Sequence, residues 1–512
     1  MTSRIDALDA HYDLIIVGGG IAGAGILREA VRSGAKVLLV EACDFASGTS
    51  SGSSKLVHGG LRYLKNGQWR LTLESVRERQ RLLDEAPGLV EPLSFLMPIY
   101  ADRKPSRWLI QVGLRVYDWM AGVRRSRWLP AAEVLAAEPD LDREALRGAM
   151  LYEDARTDDA RLVLRLILES RAQGGTALNY VRAEILQAAG RVLGIRLRDA
   201  VTQDLCDITA DVVVNATGAW AAQLPGAPAG APKLRPLRGS HLVFPAQRLP
   251  LRHAVSWLHP RDQRPVFAYP WEGAVLYGTT DLDHPDDPAT PRISAAEIDY
   301  LIEGLDRQFP RLKLRAGDAI STYSGVRPVV DSGKADPSAE SRESALWSGP
   351  GWVSITGGKL TTFRTTARKV LRQVARQSPR FDLGPDRPVF ASPRGDDRSR
   401  LCGRLGASAA AALLRDLPAD EREVVGDTPY SWAELRWAAR HEAVVHLDDL
   451  MMRRTRLGLV AERGGEAHLP RILDICAQEL GWDAARCADE AQRYRAYWQA
   501  RHALPAASAS GA

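Results

Sequence analysis

The sequence predicts an α/β protein with a Rossmann-like, doubly wound nucleotide-binding sheet, an antiparallel-sheet domain and a C-terminal α-helical cap. Three observations predict it. An apolar run at 14–17 leads into Gly18, Gly20 and Gly23 in G-x-G-x-x-G spacing, and a second run at 38–40 ends in Glu41. Between about 235 and 325, short β-branched and aromatic runs (242–244, 266–269, 275–277) are separated by Pro, Gly and Asp turns, as in antiparallel sheets. Beyond 400, residues 404–417 and 431–456 carry helical periodicity.

Taken in order, the first unit reads strand, turn, helix, strand, acid. Gly18 permits the tight turn, Gly20 lets backbone N–H groups approach a pyrophosphate, and Gly23 lets helix pack on strand. The helix N-terminus favours the anion, and Glu41 would accept from ribose hydroxyls. A Ser-rich loop (47–54) follows, then a helical stretch at 71–83. Residues 53–63 (SSKLVHGGLRY) combine a titratable base, His58, with two cations and a flexible backbone, which suggests redox chemistry on an anionic substrate. A strand at 211–214 ends in Asn215-Ala216-Thr217-Gly218, whose small residues allow close approach to a bound cofactor. A third small-residue segment, 356–362, follows the strand 353–355 and precedes a basic helical run, 364–376. Its backbone amides suit the pyrimidine end of a flavin, with Lys359 adding positive charge.

The expected domains are therefore 12–95, 150–232 and 325–376 for the nucleotide-binding unit and 96–149 with 233–324 for the substrate unit. A linker at 377–400, a helical domain at 401–502 and a disordered tail at 503–512 complete the chain. At 512 residues and 45% hydrophobic content, it can bury a large core in two or three domains. A net charge of +5 fits an acidic substrate or an anionic membrane surface, and without a basic run or reader motif it argues against nucleic acid. Five cysteines without a C-x-x-C pair make a disulfide scaffold or a metal site unexpected. Residues 1–11 lack a secretory apolar core, so a cytoplasmic location is expected, and Gly and Pro interrupt the charge-free stretch 212–232, which argues against a spanning helix. The Trp- and Arg-rich segment 107–128 suits a helix lying on an anionic bilayer or packed on the core. Cys43 reads as a packed thiol, Asp281 and Asp283 as turn residues, and 453–456 (RRTR) as a solvated helix face.

Ordered motifs carry a family resemblance: SSKLVHGGLRYL (53–64), VNATGAW (214–220), GSH (239–241), YGTTD (277–281), YSGVRP (323–328) and TGGKLTTFR (356–364). With AELRWAARHE (433–442) and LDDLMMRRTRLGL (447–459), the chain resembles the FAD-dependent, respiratory-type glycerol-3-phosphate dehydrogenases of the glycine-oxidase-like flavoprotein superfamily. The resemblance implies non-covalent FAD, oxidation of sn-glycerol 3-phosphate to dihydroxyacetone phosphate, and transfer of electrons to a membrane quinone. It also implies peripheral contact with the inner face of the cytoplasmic membrane, and it leaves room for a homodimer.

Such a reaction needs a base, a phosphate clamp and positive character near reduced flavin. His58, an imidazole titrating near neutral pH beside two glycines that let substrate come close, is the first candidate for the base, and His241 is the competing one. Arg327, Arg62 and Arg342 are the candidate guanidinium forks, Arg327 also counting as catalytic, and Tyr63, Lys359, Thr279 and Thr280 are further pocket residues. The resemblance assigns Gly18, Gly20, Gly23, Glu41, Ser53, Ser54, Lys55, Ala216, Thr217, Gly218, Gly357, Gly358, Lys359, Leu360 and Thr361 to the cofactor. Three readings compete: an oxygen-reducing oxidase, an amine or amino-acid oxidase, which would need fewer arginines, and a flavin-bound sensing protein without turnover.

Overall fold

The computed structural model describes residues 4–60, 67–104, 106–335, 337, 340, 343–379, 381–390 and 399–505. Arg62, Tyr63 and Arg342, and the tail beyond 505, lie outside the described residues.

The first sheet is built on buried parallel strands, as expected where helices cover a sheet and both faces must be apolar. His11–Val17 lies at its centre, flanked by Val37–Val40 and Leu205–Asn215, with Thr176–Leu178 and Trp352–Thr356 outside them. Register places Val17 beside both Val40 and Asn215, and Asn215 beside Ser354, so the carboxyl ends of the four strands form one edge. Ligands bind at that edge in open α/β sheets. Helices Ile21–Val31, Asp159–Ala172 and Phe363–Ala375 pack together and bury Ile26, Leu27, Leu162, Leu166 and Val370 in one core.

The second sheet has ten strands among the described residues. Leu234–Pro245 is its functional axis, paired antiparallel with Ala274–Gly278 on one side and along its length with Ser321–Val330 on the other. Val90–Tyr100 and Leu146–Thr157 continue the same sheet. The expected domain edges at 95/96, 149/150 and 324/325 thus fall inside strands that pair within this sheet. Val90 to Ile99 match Thr157 to Gly148 without a break, and the sequence carries no local sign of that distant partner. The described part of the 377–400 stretch also differs from a free linker. Phe381, Val389 and Phe390 enter the first core, Arg28 Nε donates to the Val389 carbonyl at 2.8 Å, and the Val389 N–H donates to Glu85 at 2.6 Å.

The C-terminal helices include Trp432–His441, Leu469–Leu480 and Ala484–Arg501. Ser431 and Glu434 form a capping box that fixes the first of these, satisfying N–H groups a helix end leaves open. Their apolar faces (Leu435, Leu450, Met451, Ile475, Tyr494) share a core with Phe95, Tyr152, Tyr269 and Trp271 of the second sheet. The RRTR segment is buried rather than solvated: Arg453, Arg454 and Arg456 are 3%, 1% and 1% exposed. Arg453 pairs with Asp44, Asp448 and Asp449, Arg454 with Asp44, and Arg456 with Asp158 at 2.8 Å and with Asp159. Buried charge persists only when paired, and the aspartates brought from other parts of the chain allow it here.

Candidate active site

The nucleotide end follows from glycine geometry. Gly18 has φ of 113°, and a Cβ there would stand 2.6 Å from the Ala216 carbonyl oxygen. A Cβ at Gly23 would collide with the Gly18 carbonyl, so helix Ile21–Val31 reaches the strand only with glycine there. Gly20 caps this helix without a side-chain hydrogen bond, and no acid occupies its first turn. Ser50 Oγ accepts from the Ile21 N–H at 2.9 Å, and a Cβ at Gly20 would stand 3.1 Å from that hydroxyl. The positive helix end and the glycine cradle beside it fit a pyrophosphate. Glu41 accepts from the N–H groups of Gly19 at 2.6 Å and Cys43 at 2.9 Å, while burial pushes its carboxyl above the ordinary range. Cys43 is exposed instead of packed, because it follows the strand end on the outside of the turn.

At the other end, Gly357 and Gly358 take left-handed conformations, φ 71° and 83°, at the strand-to-helix junction. Thr356 Oγ1 donates to the Gly218 carbonyl at 2.8 Å, joining the two small-residue turns, and Asn215 Oδ1 accepts from Thr217 Oγ1 at 2.7 Å. Thr361 Oγ1 donates to the His58 carbonyl at 3.4 Å, Lys359 Nζ reaches Ser75 Oγ at 3.3 Å, and Leu360 packs on the first core. The glycine after His58 serves packing more than substrate approach. The Gly59 N–H donates to Tyr117 Oη at 2.8 Å, and a Cβ there would collide with that hydroxyl and with Val76.

The other histidine stands where three strands pair. His241 lies opposite both Tyr323 and Gly278, and Leu237 opposite Arg327. The His241 ring is buried, stacks on Tyr323 with centroids 4.5 Å apart, and sets Nε2 2.9 Å from Ser54 Oγ. A Cβ at Gly278 would approach Cδ2 to 2.5 Å, so glycine there makes room for the ring. Its buried Nδ1 has no hydrogen-bond partner among the described residues. Burial first, then the cations of Arg327 and Lys55, hold the imidazole well below its ordinary pKa and therefore neutral.

Arg327 is held from behind. Its Nη1 donates to Asp281 Oδ1 at 3.0 Å and its Nη2 to Thr279 Oγ1 at 3.4 Å, and a Cβ at Gly239 would collide with the guanidinium. Asp281, buried and also paired with Arg264 at 3.1 Å, is thus an orienting residue that reading it as a turn missed. Asp283 does lie near the surface, paired with Arg235. Thr280 turns away, donating to Glu297 at 2.7 Å. Glu297 also accepts from Ser240 and Arg238, which stiffens the strand that carries His241.

The side chains of Ser53 and Lys55 are both held by Asp159. Ser53 Oγ donates to Asp159 at 2.7 Å; Lys55, fully buried, donates to Asp159 at 2.9 Å and to the Ser51 carbonyl at 2.8 Å. The fold therefore gathers His58, Lys359 and Thr361 at one junction and His241, Ser54, Arg327 and Thr279 at another, with the 53–58 segment running between them.

This arrangement has counterparts. The family model for FAD dependent oxidoreductases matches residues 13–364, and that for the C-terminal domain of alpha-glycerophosphate oxidase matches 391–487. The chain is similar to an aerobic glycerol-3-phosphate dehydrogenase of Bacillus subtilis, 38% identical over 390 residues, covering 74% of this chain and 70% of the relative. It also resembles the solved glycerol-3-phosphate dehydrogenase of Bacillus halodurans complexed with FAD, with a TM-score of 0.78, 28% identity, and coverage of 97% and 96% of the two chains. The L-alpha-glycerophosphate oxidase of Mycoplasma pneumoniae, 19% identical over 75% of this chain and 99% of its own, shares the fold with a TM-score of 0.57. FAD is accordingly the protein's cofactor. The chain belongs to the FAD-dependent glycerol-3-phosphate dehydrogenase family.

Proposed function

We propose that the protein oxidises sn-glycerol 3-phosphate to dihydroxyacetone phosphate and passes the electrons to a quinone in the membrane on which it docks. One observation carries the reading: a neutral, buried imidazole, His241, and an oriented guanidinium, Arg327, stand on paired strands of one sheet. Arg327 binds the phosphate, its fork fixed by Asp281 and Thr279 before substrate arrives. His241 takes the hydroxyl proton, since an imidazole held neutral is ready to accept one and an arriving dianion raises its affinity for it. His58, carried at the Thr361 and Lys359 junction, is the competing acceptor. Bound FAD supplies the hydride acceptor, and Lys359 adds positive charge on that side.

The docking surface is helix Arg107–Ala121. Its inner residues Ile110, Leu114 and Tyr117 are buried, while Trp108, Leu109, Val112 and Trp119 are 72%, 68%, 56% and 76% exposed. Arg107, Arg115, Arg124, Arg125 and Arg127 lie on or just after the helix, matching an anionic lipid surface. No helix among the described residues is long and apolar enough to cross a membrane, and the proposed contact is a peripheral one.

A second reading, oxygen as acceptor, is favoured by the match of residues 391–487 to the alpha-glycerophosphate oxidase C-terminal model. Anaerobic stopped-flow with sn-glycerol 3-phosphate decides. Bleaching of oxidised flavin followed by recovery with a soluble quinone supports the proposal. Recovery mainly with oxygen favours the oxidase, and no bleaching overturns the substrate.

A further inference from the structure

Three features outside the site could act on it. A cavity of about 280 Å³ between the second sheet and the cap is lined by Arg156, Arg400 and Arg404, but Glu91, Glu272 and Asp158 neutralise them and nothing selects a ligand. Buried His502 joins the last helix to strand Ser321–Val330 without facing a cavity large enough for a ligand. The chain of contacts from the RRTR segment into the 53–58 loop reaches further.

Arg456 Nη2 pairs with both Asp158 and Asp159, and its Nη1 donates to the Met452 carbonyl at 2.8 Å, which fixes the guanidinium from the cap side. Asp159 in turn accepts from the Ser53 N–H at 3.1 Å, from Ser53 Oγ at 2.7 Å and from Lys55 Nζ at 2.9 Å. Between Ser53 and Lys55 stands Ser54, whose hydroxyl meets His241 Nε2 and whose carbonyl accepts from Tyr269 Oη. Lys55 has φ of 51°, a left-handed conformation that a side-chain-bearing residue keeps only when its surroundings dictate it. The Asp159 bonds on both sides of Ser54 are those surroundings.

We infer that Arg456 of the C-terminal domain is a positioning residue for the reaction: through Asp159 it fixes the loop that carries Ser54 against His241 and leads into His58. The inference rests on the proposed oxidation and on histidine as proton acceptor. Its logic is geometric. A proton acceptor works when its ring is held within hydrogen-bond reach of the hydroxyl, and a misplacement near 1 Å costs on the order of a hundredfold in rate. Arg456 reaches the histidine-bearing loop through Asp159 and also holds Asp158 at the start of helix Asp159–Ala172, so its loss acts on the histidines through those two carboxylates. Phosphate capture depends on Arg327, which Asp281 and Thr279 orient from the connection after strand Ala274–Gly278, and it survives.

The test uses FAD-loaded Arg456→Met, Arg456→Lys and Ser53→Ala proteins. Flavin reduction by sn-glycerol 3-phosphate is followed anaerobically across substrate concentrations, with flavin content and Tm measured in parallel. Arg456→Met is expected to lower the limiting reduction rate about tenfold or more with substrate Kd changed less than about threefold, and Arg456→Lys to restore part of the rate. Ser53→Ala removes the hydroxyl link at the other end and is expected to lower the rate in the same direction with Tm little changed. An unchanged limiting rate in the loaded fraction, with only Tm reduced, makes Arg456 purely structural and overturns the inference. Should Arg456→Met fail to fold, an unchanged rate in Ser53→Ala overturns it instead. A wild-type protein that sn-glycerol 3-phosphate does not reduce refutes the proposed reaction, and the inference falls with it.

Discussion

Arg327 and Asp281 show how a single residue acquires meaning from its pairing. Motif context marked Arg327, but Asp281, 46 positions earlier, read as turn chemistry until strand pairing placed its carboxylate on the guanidinium. Glycine roles were more legible, because a tight turn or a close crossing is dictated locally: Gly18 and Gly23 do what their spacing implies. For the proposed phosphate clamp, Arg327→Lys keeps one charge and loses the planar fork. The kcat/KM for sn-glycerol 3-phosphate is expected to fall about 10- to 100-fold, the scale of one or two charge-assisted hydrogen bonds, in an assay with a soluble electron acceptor. Asp281→Asn leaves the shape but weakens the hold on Arg327. KM should rise about three- to tenfold there, with kcat less affected, and an unchanged KM would remove Asp281 from the orienting role.

At the scale of elements, periodicity reveals an amphipathic face but not what covers it. Segment 107–128 read equally as a membrane helix or a core helix, and the fold assigns both faces: Ile110, Leu114 and Tyr117 inward, Trp108 and Trp119 outward. The strands of the first sheet were legible because parallel strands are apolar on both faces. The extent of the second sheet was not, since its ladder joins Val90–Tyr100 to Leu146–Thr157 across intervening helices Arg107–Ala121 and Ala131–Ala137. The exposed face carries its own prediction. With Trp108→Glu and Trp119→Glu combined, co-sedimentation with vesicles rich in anionic lipid should weaken more than about tenfold, each change removing an interfacial anchor and adding a repelled charge. Flavin reduction in solution should stay within about twofold, because neither side chain reaches the site. Retained vesicle binding would rule out this helix as the proposed docking surface.

The whole molecule is held by charge pairs that no local pattern foretold. A run of arginines looks the same whether water or aspartate receives it, and the partners of Arg454 and Arg456 lie 410 and 298 positions away. Asp44 is the carboxylate paired with Arg454 and one of three that meet Arg453, so Asp44→Ala leaves the buried Arg454 guanidinium short of its counter-charge and weakens the hold on Arg453. A loss of about 3–5 kcal/mol in denaturant unfolding is expected. The same closeness between cap and sheet sets a pH response through His502, whose Nδ1 lies 2.9 Å from the Thr322 carbonyl and whose own carbonyl accepts from the Thr322 N–H. Burial pushes this imidazole down to about 4. An unfolded chain binds a proton on it near pH 6.5 and the folded chain only near 4, so over that window the unfolded state holds more protons and stability falls as the pH falls. The stability present above pH 6.5 is lost progressively toward 4, about 3 kcal/mol at full extent. Replacing the ring by His502→Gln removes the titration. The variant's Tm, measured from pH 7 to pH 4.5, should decline less steeply than that of the parent, whatever its value at pH 7. Parallel curves would mean that His502 stays unprotonated, or is equally protonated, in both states, and that another group governs acid sensitivity at the seam between cap and sheet.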